Sequence, residues 1–298
     1  LHIQQTKGNL LGLLTILSWS CLALFTVYSG KIPPFELLTI SFCVASLIGL
    51  IMLKKQKRVF KELFKIPLQA YFIGVIGLFG YHFFYFLAIK NAPAVEANLI
   101  NYLWPLLIVI FSSFLPNERL KWFHILGTLL ALSGAFLLVL KDGSLQFDMK
   151  YILGYSFALI AALLWSSYSV ISKTLTHIPT FAVTGFCIVT AFFSAIAHLI
   201  FEQIYIPTFF EFFAAIMLGL GPVGGAFYLW DFALKNADIK LLGSLAYLAP
   251  LLSTLILVLV GISKMTITIT IACILIVLGS LISSKQYLKL FKNLFFKS

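Results

Sequence analysis

Residues 88–107 read AIKNAPAVEANLINYLWPLL, and residues 233–252 read ALKNADIKLLGSLAYLAPLL. They align without a gap at an offset of 145, and nine of the twenty pairs are identical. The identities include Lys90/Lys235, Asn91/Asn236, Ala92/Ala237, Tyr102/Tyr247 and Pro105/Pro250. At an offset of 146, Gly8 meets Gly154, Trp19 meets Trp165 and Pro33 meets Pro179. Chance likeness between apolar stretches does not set Lys-Asn-Ala and Tyr-Leu-x-Pro at one spacing. The chain is therefore read as two related halves, 1–145 and 146–298, joined near Lys141-Asp142-Gly143-Ser144.

Both halves are too apolar for water. The 298 residues are 61% hydrophobic and 10% charged, against about 45–50% and 25% for a soluble chain. A spanning helix needs about 20 mostly apolar residues. Ten segments meet that need: 9–29, 34–53, 68–89, 94–115, 121–140, 152–172, 180–201, 209–233, 239–260 and 267–284. Pro33, Pro34, Pro67, Pro93, Pro116, Pro179 and Pro207 fall at or near their ends, where proline is tolerated or stops a helix. The first run exceeds the about 7–15 apolar residues of a signal peptide core. No small-x-small cleavage site follows it, so it is expected to be retained.

Positive charge gives the expected orientation. One set of alternate loops and termini carries 16 Lys and Arg, and the other carries five. Both termini are expected on the cytoplasmic side. The net charge of +11 is spread over short loops rather than gathered in a basic patch, which argues against nucleic acid as a partner. Each half holds five expected helices. An odd number turns the second half upside down, so the fold class is an all-α membrane protein of two inverted five-helix repeats. Inverted repeats around a midplane site are the architecture of secondary transporters.

At this point the chain resembles the drug/metabolite transporter superfamily, in its EamA branch, and within it the bacterial aromatic amino acid exporters. The resemblance rests on Val95-Glu96-Ala97-Asn98-Leu99-Ile100-Asn101-Tyr102-Leu103-Trp104-Pro105, supported by Leu164-Trp165-Ser166-Ser167-Tyr168 and Ser18-Trp19-Ser20. It implies a multi-pass protein of the bacterial inner membrane, a basket-like fold, a central cavity and outward flow of substrate. It also implies cavity aromatics at Trp19, Tyr81, Tyr85, Tyr102, Trp104 and Trp165. The stretch around Tyr81 and Tyr85 departs from the exporter pattern.

The residues themselves allow sharper and blander readings. Trp104 lies about ten residues, or about 15 Å, into its helix, and Trp19 is similarly central. Trp and Tyr favour the membrane interfaces, so central ones form either a stacking wall for a flat or cationic substrate or a packed helix contact. Asn98 and Asn101 share a helix face with Tyr102. They line a cavity or join helices. Glu96 sits in a first helical turn, where the dipole favours a carboxylate; the alternative is an amine or proton site. His82, beside Tyr81, is an intramembrane titratable group, whereas His198 is read as structural. Pro105 and Pro250 each free a carbonyl and bend a helix, an expected pair of gates.

No phosphate-binding loop, metal-ligand spacing or catalytic carboxylate pair appears, and Cys21, Cys43, Cys187 and Cys273 share no metal or redox spacing. No cofactor is expected. The sequence thus points to a gradient-driven carrier of aromatic or other neutral amino acids, with small-molecule substrate and bilayer as partners. The chain works as a monomer or as an oligomer of unspecified size. A cationic cargo such as S-adenosylmethionine or a drug is the alternative. An intramembrane lipid-modifying enzyme is the reading from another class.

Overall fold

A computed structural model describes residues 2–116, 118–140 and 147–284. The expected linker at 141–144 and the C-terminal lysines, Lys285, Lys289, Lys292 and Lys297, lie outside the described residues. Among the described residues the regular structure is entirely helical, with no strand. Among the described residues, nine helices are long and apolar enough to cross a membrane. They are α1 (Ile3–Tyr28), α2 (Pro34–Lys55), α3 (Leu68–Asn91), α4 (Ala94–Phe114), α5 (Trp122–Leu140), α6 (Met149–Thr174), α7 (Ala182–Phe201), α8 (Phe209–Asn236) and α9 (Ile239–Leu259). A shorter apolar helix, α10 (Ile267–Ser283), follows. Each of the ten expected segments falls on one of these helices.

Local chemistry sets the helix starts. Pro34 opens α2, and Pro67 and Pro93 stand just before α3 and α4, where a missing amide costs nothing. Thr208 and Glu211 form a reciprocal capping box at α8. Asp238 accepts the Lys240 and Leu241 amides at α9. The start of α2 is capped from a distance: the Glu202 carboxylate accepts the Phe35 and Glu36 amides at 2.9 and 3.2 Å. His198, read as structural, holds that carboxylate at 2.9 Å.

The packing follows a pattern. Helix α1 lies along α8, and α3 lies along α6; α2 pairs with α7, and α5 with α10. Advancing every label by five maps the first contact onto the second and leaves the last two unchanged. The same relation reaches single atoms. A Cβ placed on Gly8 would lie 2.8 Å from the Ala237 nitrogen, and one on Gly154 would lie 2.6 Å from the Ala92 Cβ. The repeated Lys-Asn-Ala thus acquires a reason. Asn91 and Asn236 each bond the carbonyl four residues back at 2.8 Å, closing α3 and α8. The following alanine then fits against a glycine.

Several helices are interrupted inside the expected membrane. Helix α4 breaks at Tyr102-Leu103 and α9 at Ala246-Tyr247, both just before a proline. Pro105 and Pro250 offer no amide to the Asn101 and Ala246 carbonyls four residues back. Helix α3 widens into a π-helical turn at Ile76–Gly80. Helix α8 is broken at 221–224. Gly219 does pack, on Ser41 and Val44 of α2, but Gly221 and Gly224 carry backbone angles that end one helical segment and begin the next.

The tight glycine contacts give a stability prediction. Gly154→Leu should cost about 1–3 kcal/mol through overpacking against Asn91 and Ala92. A detergent melting curve should show it, with Gly261→Ala, whose Cβ would meet open space but which sits at φ +77°, as the strain-only control.

Candidate functional site

Four tryptophans meet in the middle of the bundle, one each from α1, α4, α6 and α8. Trp19 lies 5.8 Å from Trp104, 5.9 Å from Trp165 and 4.9 Å from Trp230, centroid to centroid. Trp104 and Trp165 meet edge to face at 6.3 Å. Such tilted and T-shaped pairs suit the ring quadrupoles, each contributing about 0.5–1.5 kcal/mol beyond area burial. Trp19, Trp104 and Trp165 were singled out from sequence, and the structure brings them together.

Trp230 was not. It is fully buried, and its indole N–H donates to the Ser169 hydroxyl at 3.2 Å. A signal for it existed in the repeat: 145 residues earlier stands Tyr85. The same shift carries His82 onto Phe227, which packs on Trp165 at 5.7 Å.

Tyrosines and amides extend the cluster along α3 and α4. Tyr81 touches Trp165 at 5.4 Å and lies parallel to Tyr85 at 6.0 Å. The Asn101 amide donates to the Tyr81 hydroxyl at 3.2 Å, and the Tyr85 hydroxyl donates to Asn98 Oδ1 at 2.5 Å. Tyr102 brings its phenol near those of Tyr81 and Tyr85. Asn101 is 5% exposed, and its Oδ1 has no hydrogen-bond partner. A buried acceptor left open costs about 1–3 kcal/mol, so it calls for an occupant.

The other sequence candidates lie at the margins. His82 gives its Nδ1–H to the Leu78 carbonyl at 2.7 Å and packs between Phe42 and Phe227. Glu96 is buried in the first turn of α4, eight residues before Trp104 and so about 12 Å along the helix. Among the described residues no group of three His, Cys, Asp or Glu side chains is arranged to hold a metal ion.

One end of the bundle is closed by charge. Lys240 pairs with Glu118, which also lies 3.7 Å from Lys173. Lys173 donates to the Ala237 carbonyl at 2.8 Å. Nearby, Asp231 pairs with Lys235 at 2.7 Å and accepts the Thr180 hydroxyl at 2.7 Å. The sequence pattern places these lysines in loops. The structure instead buries Lys240 and Asp231. At the opposite end Glu211 takes the Lys31 amide and the Tyr205 hydroxyl, which raises the Tyr205 phenol above its ordinary pKa.

The chain is also similar to known transporters. The model of the EamA-like transporter family matches residues 6–140 and again 152–285. The chain belongs to the EamA-like transporter family. A relative from Ancylobacter novellus, named aromatic amino acid exporter YddG, is 44% identical over 95% of this chain and 98% of its own length. The Escherichia coli K12 protein of that name is 23% identical over 84% of this chain and 87% of its own. A solved crystal structure superposes with a TM-score of 0.89 at 43% identity, covering 94% of this chain and 98% of the other. The protein is a multi-pass membrane transporter, a secondary carrier of small metabolites and not an enzyme.

The buried charges predict a non-additive pattern. Lys240→Met should cost about 3 kcal/mol, because Glu118 and Asp238 lose a buried counterion. The double variant with Glu118→Leu should recover part of that loss. Melting temperatures of the two singles and the double would measure the coupling.

Proposed function

We propose that this chain exports or equilibrates aromatic and other neutral amino acids across the bacterial inner membrane. Two inverted five-helix halves, about 1–145 and 146–298, form ten spans with both termini cytoplasmic. They alternate access to a site between them. The observation that carries this reading is the contact between Trp19 and Trp165, which are repeat mates. In a structure with a twofold axis in the membrane plane, a residue touches its own mate only near that axis. Their contact supports a substrate site at the midplane, shared by both halves.

Trp19, Trp104 and Trp165 supply the wall for the substrate's flat side chain. Tyr81, Tyr85, Asn98 and Tyr102 supply a polar edge beside it. The open Asn101 Oδ1 accepts the substrate ammonium, while Glu96 and His82 lie further along the same path. The names of the two exporter relatives support aromatic amino acids as cargo. A second cargo, a sulfonium such as S-adenosylmethionine or a cationic drug, is favoured by the aromatic surface alone, since ring faces attract cations.

Uptake of labelled Phe, Tyr and Trp into proteoliposomes tests this. Saturable uptake is expected, with Trp104→Ala weakening apparent affinity about 2- to 10-fold, the range of one aromatic pair. Phenethylamine should compete and 3-phenylpropionate should not, because only the former carries the ammonium for Asn101; Asn101→Leu should erase that difference. Saturable uptake of labelled S-adenosylmethionine without aromatic flux would transfer the assignment to cationic cargo.

A further inference from the structure

Tyr247 is fully buried, and its hydroxyl donates to the Tyr102 carbonyl at 3.0 Å. The two residues are 145 apart, the offset of the repeat, so they too are mates in contact. The acceptor is a special one. In an unbroken helix the Tyr102 carbonyl would take the Leu106 amide. Here, among the described residues, that amide–carbonyl bond is not made, and the Tyr247 hydroxyl takes the acceptor. The hydroxyl is therefore inserted into the α4 ladder, a recognised cause of helix bending. Asn101, Tyr102 and Trp104 flank the insertion, and all three belong to the aromatic site.

The reverse contact is missing. Among the described residues Tyr102 makes no hydroxyl bond to the Tyr247 carbonyl, although α9 breaks at the matching place, Ala246-Tyr247. Instead the Tyr102 phenol lies near Tyr81 and Tyr85. The ends of the bundle are asymmetric in the same sense. Glu118, Lys173 and Lys240 close one end, while their repeat mates are Ser263, Val27 and Val95, which cannot form such pairs.

We propose that Tyr247 and Tyr102 are exchanging positioning residues. In the state with the Glu118 end closed, the Tyr247 hydroxyl wedges α4 open and sets the site-facing bend that carries Asn101 and Trp104. In the opposite state the halves swap conformations, and the Tyr102 hydroxyl wedges α9 at the Tyr247 carbonyl. Each insertion exists in one state only, so each hydroxyl biases the equilibrium between states rather than stability in general. Phe at 247 leaves no orphan group, because the Leu106 amide can then return to the Tyr102 carbonyl. This rests on the alternating-access reading above.

The test uses the full chain in lipid nanodiscs, with hydrogen exchange read at both ends. One reporter is the Glu118 end, through segments around Lys173–Thr180 and Asp238. The other is the opposite end, through segments around Lys31 and 202–208. Tyr247→Phe should raise exchange at the Glu118 end and lower it at the other, with an equilibrium shift of about fivefold, the usual effect of one hydrogen bond. Tyr102→Phe should move both readings the opposite way. The double variant should return the ratio between ends to the wild-type value, an outcome that simple destabilisation would not give. Shifts of the same sign in both single variants, or no shift in either, overturn the exchange. Counterflow of labelled amino acid by the wild type separates the two levels: its presence with same-sign shifts sinks only the exchange, and its absence sinks the alternating-access reading as well.

Discussion

In lipid no water is available to replace a lost backbone hydrogen bond, and each unsatisfied group costs several kcal/mol. The breaks in α4 and α9 must be understood against that constraint. Pro105 and Pro250 remove an amide in mid-helix, where the bilayer offers no substitute. One residue past the Asn101 carbonyl that Pro105 leaves open, a side chain from another helix enters the α4 break: Tyr247 bonds the Tyr102 carbonyl. That contact fixes the direction of α4 where Asn101, Tyr102 and Trp104 emerge. It also makes the bend dependent on α9, so geometry at the site is tied to the position of the other half.

Close packing elsewhere follows from the same solvent. Lipid tails are as apolar as leucine, so helices are held by contact and shape rather than by expulsion of water. Gly8 and Gly154 let α1 and α6 press onto the ends of α8 and α3. Gly127 and Gly279 bring α5 and α10 together so closely that a Cβ on either would sit 2.4 Å from the other's carbonyl oxygen. With the periphery fixed by small residues, large rings collect at the centre, where α1, α4, α6 and α8 converge.

Much of this was legible in the sequence. The positions of the helices followed from apolar length, and the Trp19, Trp104 and Trp165 set followed from rings placed too deep for an interface. What escaped depended on contacts between distant segments. Trp230 looked like one more aromatic residue, and only the repeat register, which sets it opposite Tyr85, distinguished it. Lys173, Lys235 and Lys240 looked like loop charges because hydropathy stops at helix ends. Their partners, Glu118 and Asp231, come from another connection or from one turn away, and no one-dimensional pattern shows that pairing. Gly221 and Gly224 have the same composition whether they pack a helix or break it; backbone angles decide.

The two ends of the bundle differ in chemistry, and that difference has a definite limit. Glu118, Lys173 and Lys240 stabilise closure of their own end, and Ser263, Val27 and Val95 give the mates no comparable means. Such a latch changes which state the empty carrier rests in. It also changes the apparent affinity from each face, because a ligand reaching the less populated state pays for the shift. It cannot set the direction of net flow. With no phosphate-binding loop in the sequence to couple transport to ATP, every bias toward one state is repaid on the return half of the cycle. Net flux then follows the substrate gradient, and asymmetry of the fold governs rate and resting state alone.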